Sequence, residues 1–225
     1  LAARVIRCER CPRLVACRRA AGRARPRRYR DWDYWARPLP GFGDPRARLL
    51  VIGLAPAANG GNRTGRVFTG DSSGDWLYEA LHRFGFANQA SSTSRDDGLR
   101  LTDCYVTASA RCAPPGNKPT SKELENCRPY LEAELRLLRR VRLVLVLGRI
   151  AHETYLKTNG GKGEKGKGKS KAPAFGHAAE AALPDGTILL SSYHPSRQNT
   201  NTGRLTRNMW YAVFRRARQL LGRLT

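Results

Sequence analysis

Negative charge is what this chain has least of. Of 225 residues, 18 are Asp or Glu against 41 Lys or Arg, a formal net charge of +23. That balance is too lopsided for an ordinary metabolic enzyme, and a thermophile's charged surface usually sets Glu against Lys. The excess is mostly Arg and runs along the whole chain, which points to a polyanionic partner, nucleic acid first. Long apolar runs are also missing: none approaches the roughly 18 residues needed to cross a bilayer. Nor does a basic start, apolar core and small-residue cleavage site mark a secretory leader. The expectation is a cytoplasmic protein with no membrane partner. No internal repeat is present. The nucleotide-binding pattern G-x-x-x-x-G-K-[ST] is absent as well, since Arg66 follows Gly65 with no Lys or Ser/Thr in register.

What is present reads as one domain over residues 1–225. With 40% hydrophobic residues the chain can bury a core. Four short apolar runs, at 48–52, 104–106, 142–147 and 187–190, each end in a polar loop. Helix-like stretches at 76–84, 121–140 and 150–156 separate them, and another at 209–221 follows. Strands alternating with helices predict an α/β fold, three layers with a parallel sheet between helices. Residues 1–45, rich in Cys, Arg and Pro, read as an irregular, partly helical lead-in that needs an external clamp. Residues 159–171 are Gly/Lys low complexity and read as a disordered, solvated insertion with a share in electrostatic capture.

Chemistry gathers where the runs end, and in open α/β sheets ligands bind beyond the carboxyl ends of strands. The loop from Gly53 to Asp71 holds five glycines, two arginines, one aromatic and one carboxylate. The last run leads into His194-Pro195-Ser196, where Pro forces the preceding residue into an extended conformation and presents the imidazole rigidly. Such a His either caps the strand or donates a hydrogen bond to an oxygen gaining charge. The stretch from Arg197 to Arg207 has no apolar periodicity and holds one Leu205, as in a backbone-gripping finger with an apolar wedge. Six cysteines in a reducing compartment favour metal or redox chemistry over disulfides. Cys8-x2-Cys11 and Cys112-x14-Cys127 supply two pairs, suited equally to Zn²⁺ or a [4Fe–4S] cluster, and would give the lead-in its clamp. Cys17 and Cys104 are left over.

Three motifs carry a resemblance. They are Gly53-Leu54-Ala55-Pro56-Ala57 continuing through Asn62-Arg63-Thr64-Gly65-Arg66 to Phe68-Thr69-Gly70-Asp71; Cys112-Ala113-Pro114-Pro115-x-Asn117-Lys118-Pro119; and His194-Pro195-Ser196-Arg197-Gln198-Asn199-Thr200-Asn201-Thr202-Gly203-Arg204-Leu205-Thr206. Together they resemble the uracil-DNA glycosylase superfamily, specifically its family 5 (type B) branch. The resemblance implies a central four-stranded parallel sheet and a [4Fe–4S] cluster on Cys8, Cys11, Cys112 and Cys127. It also implies removal of uracil, with hypoxanthine and xanthine as further deaminated bases, from single- or double-stranded DNA by a monomer. The sequence departs from its relatives at Asn59, where they commonly have His. Leu54 and Ala55 stand where the wider superfamily places a polar catalytic residue, so the carboxylate must come from elsewhere.

A glycosylase must flip its target nucleotide into a pocket. On that basis Phe68 is expected to stack on the base, with Gly53, Ala55, Ala57 and Asn59 as further substrate contacts. His194 is expected at the uracil O2, Asp71 beside the oxocarbenium-like sugar, and Asn117 as a second polar contact. Asp71 reads equally as a helix cap, Phe68 as core, and Asn117 as a turn residue. Arg63, Arg66, Arg197, Gln198, Asn201 and Arg204 are assigned to the DNA backbone, with Leu205 as the wedge. The rival function is a non-catalytic, metal-containing nucleic-acid-binding module.

Overall fold

Runs of five residues that are apolar on both faces become strands buried on both sides, and that pattern marks a parallel sheet covered by helices. The computed structural model, which describes residues 1–160 and 172–223, has such strands at β2 (Leu49–Gly53), β3 (Cys104–Ala108), β4 (Leu143–Leu147) and β6 (Ile188–Ser192). They run parallel to one another, with Leu49 opposite both Cys104 and Leu143 and Leu143 opposite Ile188. Two short strands, β1 (Phe42–Gly43) and β5 (Glu180–Ala182), pair antiparallel at the edges. The sheet therefore has six strands in the order β1-β3-β2-β4-β6-β5, not the four expected. The edge strands left no sequence signal: one is two residues long, and the other is largely exposed.

Alternate residues of each strand face opposite layers. Leu49, Val51, Leu143 and Leu145 pack with Leu77, Leu81, Trp210 and Phe214, carried by α4 (Ser72–Arg83) and α8 (Arg207–Arg223). Leu50, Ile52, Val144 and Val146 pack instead with Leu131, Ala151 and Tyr155, on α5 (Ser121–Leu137) and α6 (Arg149–Asn159). The chain leaves β2 for β3 on one side and then crosses to β4 on the other. That is a switch point, where the connecting loops part and open a crevice at the carboxyl ends.

The lead-in is more ordered than its composition indicates. It forms α1 (Ala2–Ile6), α2 (Pro12–Ala24) and a 3₁₀ turn at Arg27–Tyr29. Ionic and backbone contacts hold it down. Arg13 makes a bidentate pair with Glu123 (2.8 and 2.7 Å), the residue that also completes the capping box of α5 with Thr120. Trp35 and Ala36 donate backbone hydrogen bonds to Arg63 and Asn62, on the single turn α3 (Gly61–Thr64), and buried Arg18 donates to the Ala36 carbonyl. Of the expected insertion, Asn159 ends α6 and Gly160 caps it; residues 161–171 lie outside the described residues. The last short helix, α7 (Arg197–Asn201), follows β6 and is capped by the Ser196 side chain.

Candidate active site

The wall of the crevice is built by side chains that occupy the space above glycines. A Cβ on Gly53, the last residue of β2, would clash with the Phe68 ring, and one on Gly74 would stand 2.6 Å from the Phe68 carbonyl carbon. A Cβ on Gly60 would stand 2.8 Å from the Asp71 carboxyl carbon. Phe68 itself is held at φ 52°, a left-handed conformation uncommon outside glycine, and the packing around it must over-determine that geometry. Its half-buried ring stacks on His194, with centroids 5.8 Å apart and planes at 27°.

These groups line a cleft of about 750 Å³ that also takes in Ala55, Ala57, Asn59, Asp71, Asn117, Arg197 and Gln198. Its size suits a small ligand. A second hollow, of about 650 Å³, lies against β5 and β6. There buried His152 is already engaged at both ring nitrogens, by Ser191 Oγ and the Pro173 carbonyl at 2.9 Å each.

Asp71 caps α4, accepting the Gly74 N–H at 3.0 Å. Burial raises its carboxyl above the usual range, and N–H donors from Gly74 and Ser73 only partly offset this. The cap and the cleft-lining position coexist in one side chain. Burial lowers His194 from 6.5 to about 4, so its imidazole is neutral near neutral pH and can donate a hydrogen bond. Asn199 fixes the strand end by donating to the His194 carbonyl at 2.8 Å. Asn117 sits at φ 58° in the 3₁₀ turn Pro115–Asn117, a conformation Asn tolerates better than most residues. Asn59 accepts a hydrogen bond at Oδ1 from the Tyr34 hydroxyl, 2.9 Å away.

Four expected contacts are corrected by burial. Gly53 is closed off at the strand end beneath Phe68 and does not line the cleft. Arg63 is 4% exposed: its guanidinium lies 4.0 Å from both the Tyr29 and Trp32 ring centroids and donates to the carbonyls of Asn59 and Gly70. Arg66 is equally buried, pairing with Asp97 at 2.7 Å and bonding Thr69 and Ser92. Leu205, expected as a wedge, is fully buried in the main core beside Trp210. A basic or apolar residue in a Gly-rich or Asn-rich loop reads as surface from sequence, but these loops fold inward. Asn201 and Arg204 are exposed but outside the cleft, with Arg204 over the Tyr193 ring at 4.8 Å. Among the lining residues that went unassigned from sequence are Arg28, Tyr29 and Lys118. Their only signal was basic and aromatic density next to cysteine motifs.

Cys11 and Cys112 share one small core cluster with Leu14, and the thiols of Cys8, Cys11, Cys112 and Cys127 act on one another electrostatically. Burial raises Cys112 to about 12, and the neighbouring thiols add to this. The Arg111 N–H donates to Cys127, and Asn126 Nδ2 donates to Cys11 Sγ at 3.4 Å. Such N–H···S donors are what a thiolate-bound group uses in its surroundings. Among the described residues, no group of three or more His, Cys, Asp or Glu side chains is arranged to hold a metal ion. Cys104 is a buried strand residue, apart from this cluster.

Sequence comparison adds the family. A family model described as "Uracil DNA glycosylase superfamily" matches residues 40–218. The chain is 53% identical over 215 residues to a "Type-5 uracil-DNA glycosylase" of Thermus thermophilus, covering 96% of this chain and 94% of that one. It is 46% identical over 215 residues to a protein of the same name from Pyrobaculum aerophilum, covering 95% and 89%. A "Type-4 uracil-DNA glycosylase" of the latter organism is 31% identical over 133 residues, 59% of this chain and 60% of that one.

Proposed function

The chain belongs to the uracil-DNA glycosylase superfamily, and from that premise we propose that it excises uracil from DNA by hydrolysing the N-glycosidic bond, leaving an abasic site. The observation that carries this reading is the meeting of Phe68, Asp71, Asn117 and His194 in one cleft at the strand ends. The type-5 relatives match nearly the whole chain and the type-4 relative a little over half of it, which favours the type-5 branch.

The reaction breaks the bond between C1′ and the base nitrogen, and water supplies the hydroxyl that ends on C1′. Phe68 offers the extruded base a flat partner for stacking. His194, neutral and half-buried, donates to the uracil O2 as the departing base takes up the bonding pair. Asp71, when ionised, stabilises positive charge on the sugar or holds the attacking water. Asn117 is the second polar contact. The walls at Ala55 and Ala57 are small, which supports entry of hypoxanthine and xanthine as well.

Cys8, Cys11, Cys112 and Cys127 would hold a [4Fe–4S] cluster, whose contribution is a thiolate clasp between the lead-in and the third-strand loop. The electrostatic influence of these four thiols on one another, with N–H donors on Cys11 and Cys127, supports a shared thiolate site. Iron and acid-labile sulfide in the purified protein would bear the cluster out, and stoichiometric zinc would refute it.

The decisive assay incubates the protein with a uracil-containing oligonucleotide, then applies alkali. Strand breakage at the uracil is expected. An intact strand with DNA binding retained would favour the non-catalytic module.

A further inference from the structure

With Arg63 and Arg66 buried, the cleft needs other cations to hold DNA, and three line it: Arg28, Lys118 and Arg197. We propose that these three form a cradle for the backbone phosphates flanking the extruded nucleotide. The proposal rests on reading the cleft as a uracil-excision site.

Each cation comes from a different element. Arg28 belongs to the 3₁₀ turn Arg27–Tyr29, Lys118 follows the turn Pro115–Asn117, and Arg197 is the first residue of α7. All three are exposed. None has a carboxylate ion-pair partner among the described residues, although other arginines of this chain do. Asp71 is the one carboxylate lining the same cleft, so its rim is cationic.

The cations are positioned by contacts that leave them without a carboxylate partner among the described residues. Arg28 rests on the Tyr29 ring at 4.6 Å, and Tyr29 is itself held by the Arg63 guanidinium. The Lys118 carbonyl accepts from Arg13 at 3.1 Å, and its N–H donates to the Pro115 carbonyl at 3.1 Å. A positioned cation with no carboxylate partner suits a phosphate contact that sets register. Phosphates that flank the extruded nucleotide belong by covalent connection to the strand that carries the uracil. Single- and double-stranded DNA should therefore lose the same number of contacts when the cations are removed.

The test is the triple variant Arg28→Gln, Lys118→Gln, Arg197→Gln, binding an oligonucleotide with a stable abasic-site analogue over a range of salt. Each phosphate contact contributes about 0.9 to the slope of log K against log [salt] on duplex and about 0.7 on single strands. The triple variant should lose about 2.7 and about 2 respectively. Between 50 and 200 mM salt the wild type should then lose about 40-fold more duplex affinity than the variant does. Half-saturation for uracil excision should rise in the triple variant. Arg28→Lys and Arg197→Lys should keep the wild-type slope.

A control pair, Arg139→Gln and Arg140→Gln, lies exposed between α5 and β4 at the opposite end of the strands and should leave the slope unchanged. An unchanged slope in the triple variant overturns the cradle. So does an equal drop in the control, which would assign the effect to net charge. A wild type that fails to cut uracil DNA while the triple variant's slope still falls would refute the enzymatic reading and leave a phosphate-binding cleft.

Discussion

The cleft depends on side chains that are absent as much as on those present. Gly53 and Gly60 lie under Phe68 and Asp71, and a single methyl at either meets one of them within 3 Å. Gly53→Ala should displace the ring at a cost of about 1–3 kcal/mol of stability. A shift near 1 Å costs up to about 100-fold in rate. Single-turnover excision should accordingly fall about 10- to 100-fold, and an unchanged rate would show that Phe68 does not hold the base. Asp71→Asn separates two roles, because Asn caps a helix about as well as Asp. Its excision rate should drop while abasic-site binding persists. The Asp71 carboxyl titrates higher in the folded protein than in the unfolded chain, so folding favours its protonated form. The associated stability is present below the unfolded value and is lost as pH rises through the folded one. At neutral pH the Asn variant should therefore melt no lower than wild type. His194 stays neutral down to about 4, so an acid limb of the rate profile above the usual carboxylate range belongs to Asp71. It should vanish in Asp71→Asn; persistence of the limb there would assign it elsewhere.

At the level of elements, a buried cation helps hold the wall contributed by the lead-in. Arg63 sits between Tyr29 and Trp32, and its removal takes away two cation–π contacts of about 0.5–2 kcal/mol each together with two hydrogen bonds to carbonyls. Arg63→Ala should open residues 26–36 to limited proteolysis and raise half-saturation for DNA. A cleavage pattern like wild type would mean that backbone bonds from Trp35 and Ala36 suffice. The four parallel strands were legible because each is a short apolar run ending in a polar loop, and the helices because of caps such as Thr120 with Glu123. Helix ends were less so: α4 starts at Ser72, before the first aromatic, because Asp71 caps it, and α5 stops at Leu137, because Leu138 leaves helical geometry. Of the cleft, sequence gave away the residues on strand-end loops. It did not reveal the interior fates of Arg63, Arg66 and Leu205, since burial of a charge depends on partners such as Asp97 and Trp32 that are distant in the chain.

Across the whole molecule, the lead-in and the sheet are joined at two places near the cysteines: the Arg13–Glu123 pair and the thiol cluster itself. With Cys8 a ligand of the proposed cluster, Cys8→Ser should deplete iron and sulfide and lower the melting temperature by about 5–10 °C, at about 2–4 °C per kcal/mol for a chain of this size. It should also loosen residues 1–36, as read by proteolysis. Full metal content with an unaltered digest would release Cys8 from the ligand set. Behind that join, buried Arg111 and Glu134 pair at 2.6 Å, with Thr107 bonded to both, and tie the third-strand loop to α5. The join also spans a long stretch of sequence, since Arg13 and Glu123 are 110 residues apart. At about 5–20 residues per second of synthesis, the amino-terminal half emerges from the ribosome some 5–20 s before its counterpart. For that interval Cys8 and Cys11 are an unprotected dithiol on a nascent chain. On the proposed ligand set, completion of the thiolate site would wait until translation delivers Cys112 and Cys127.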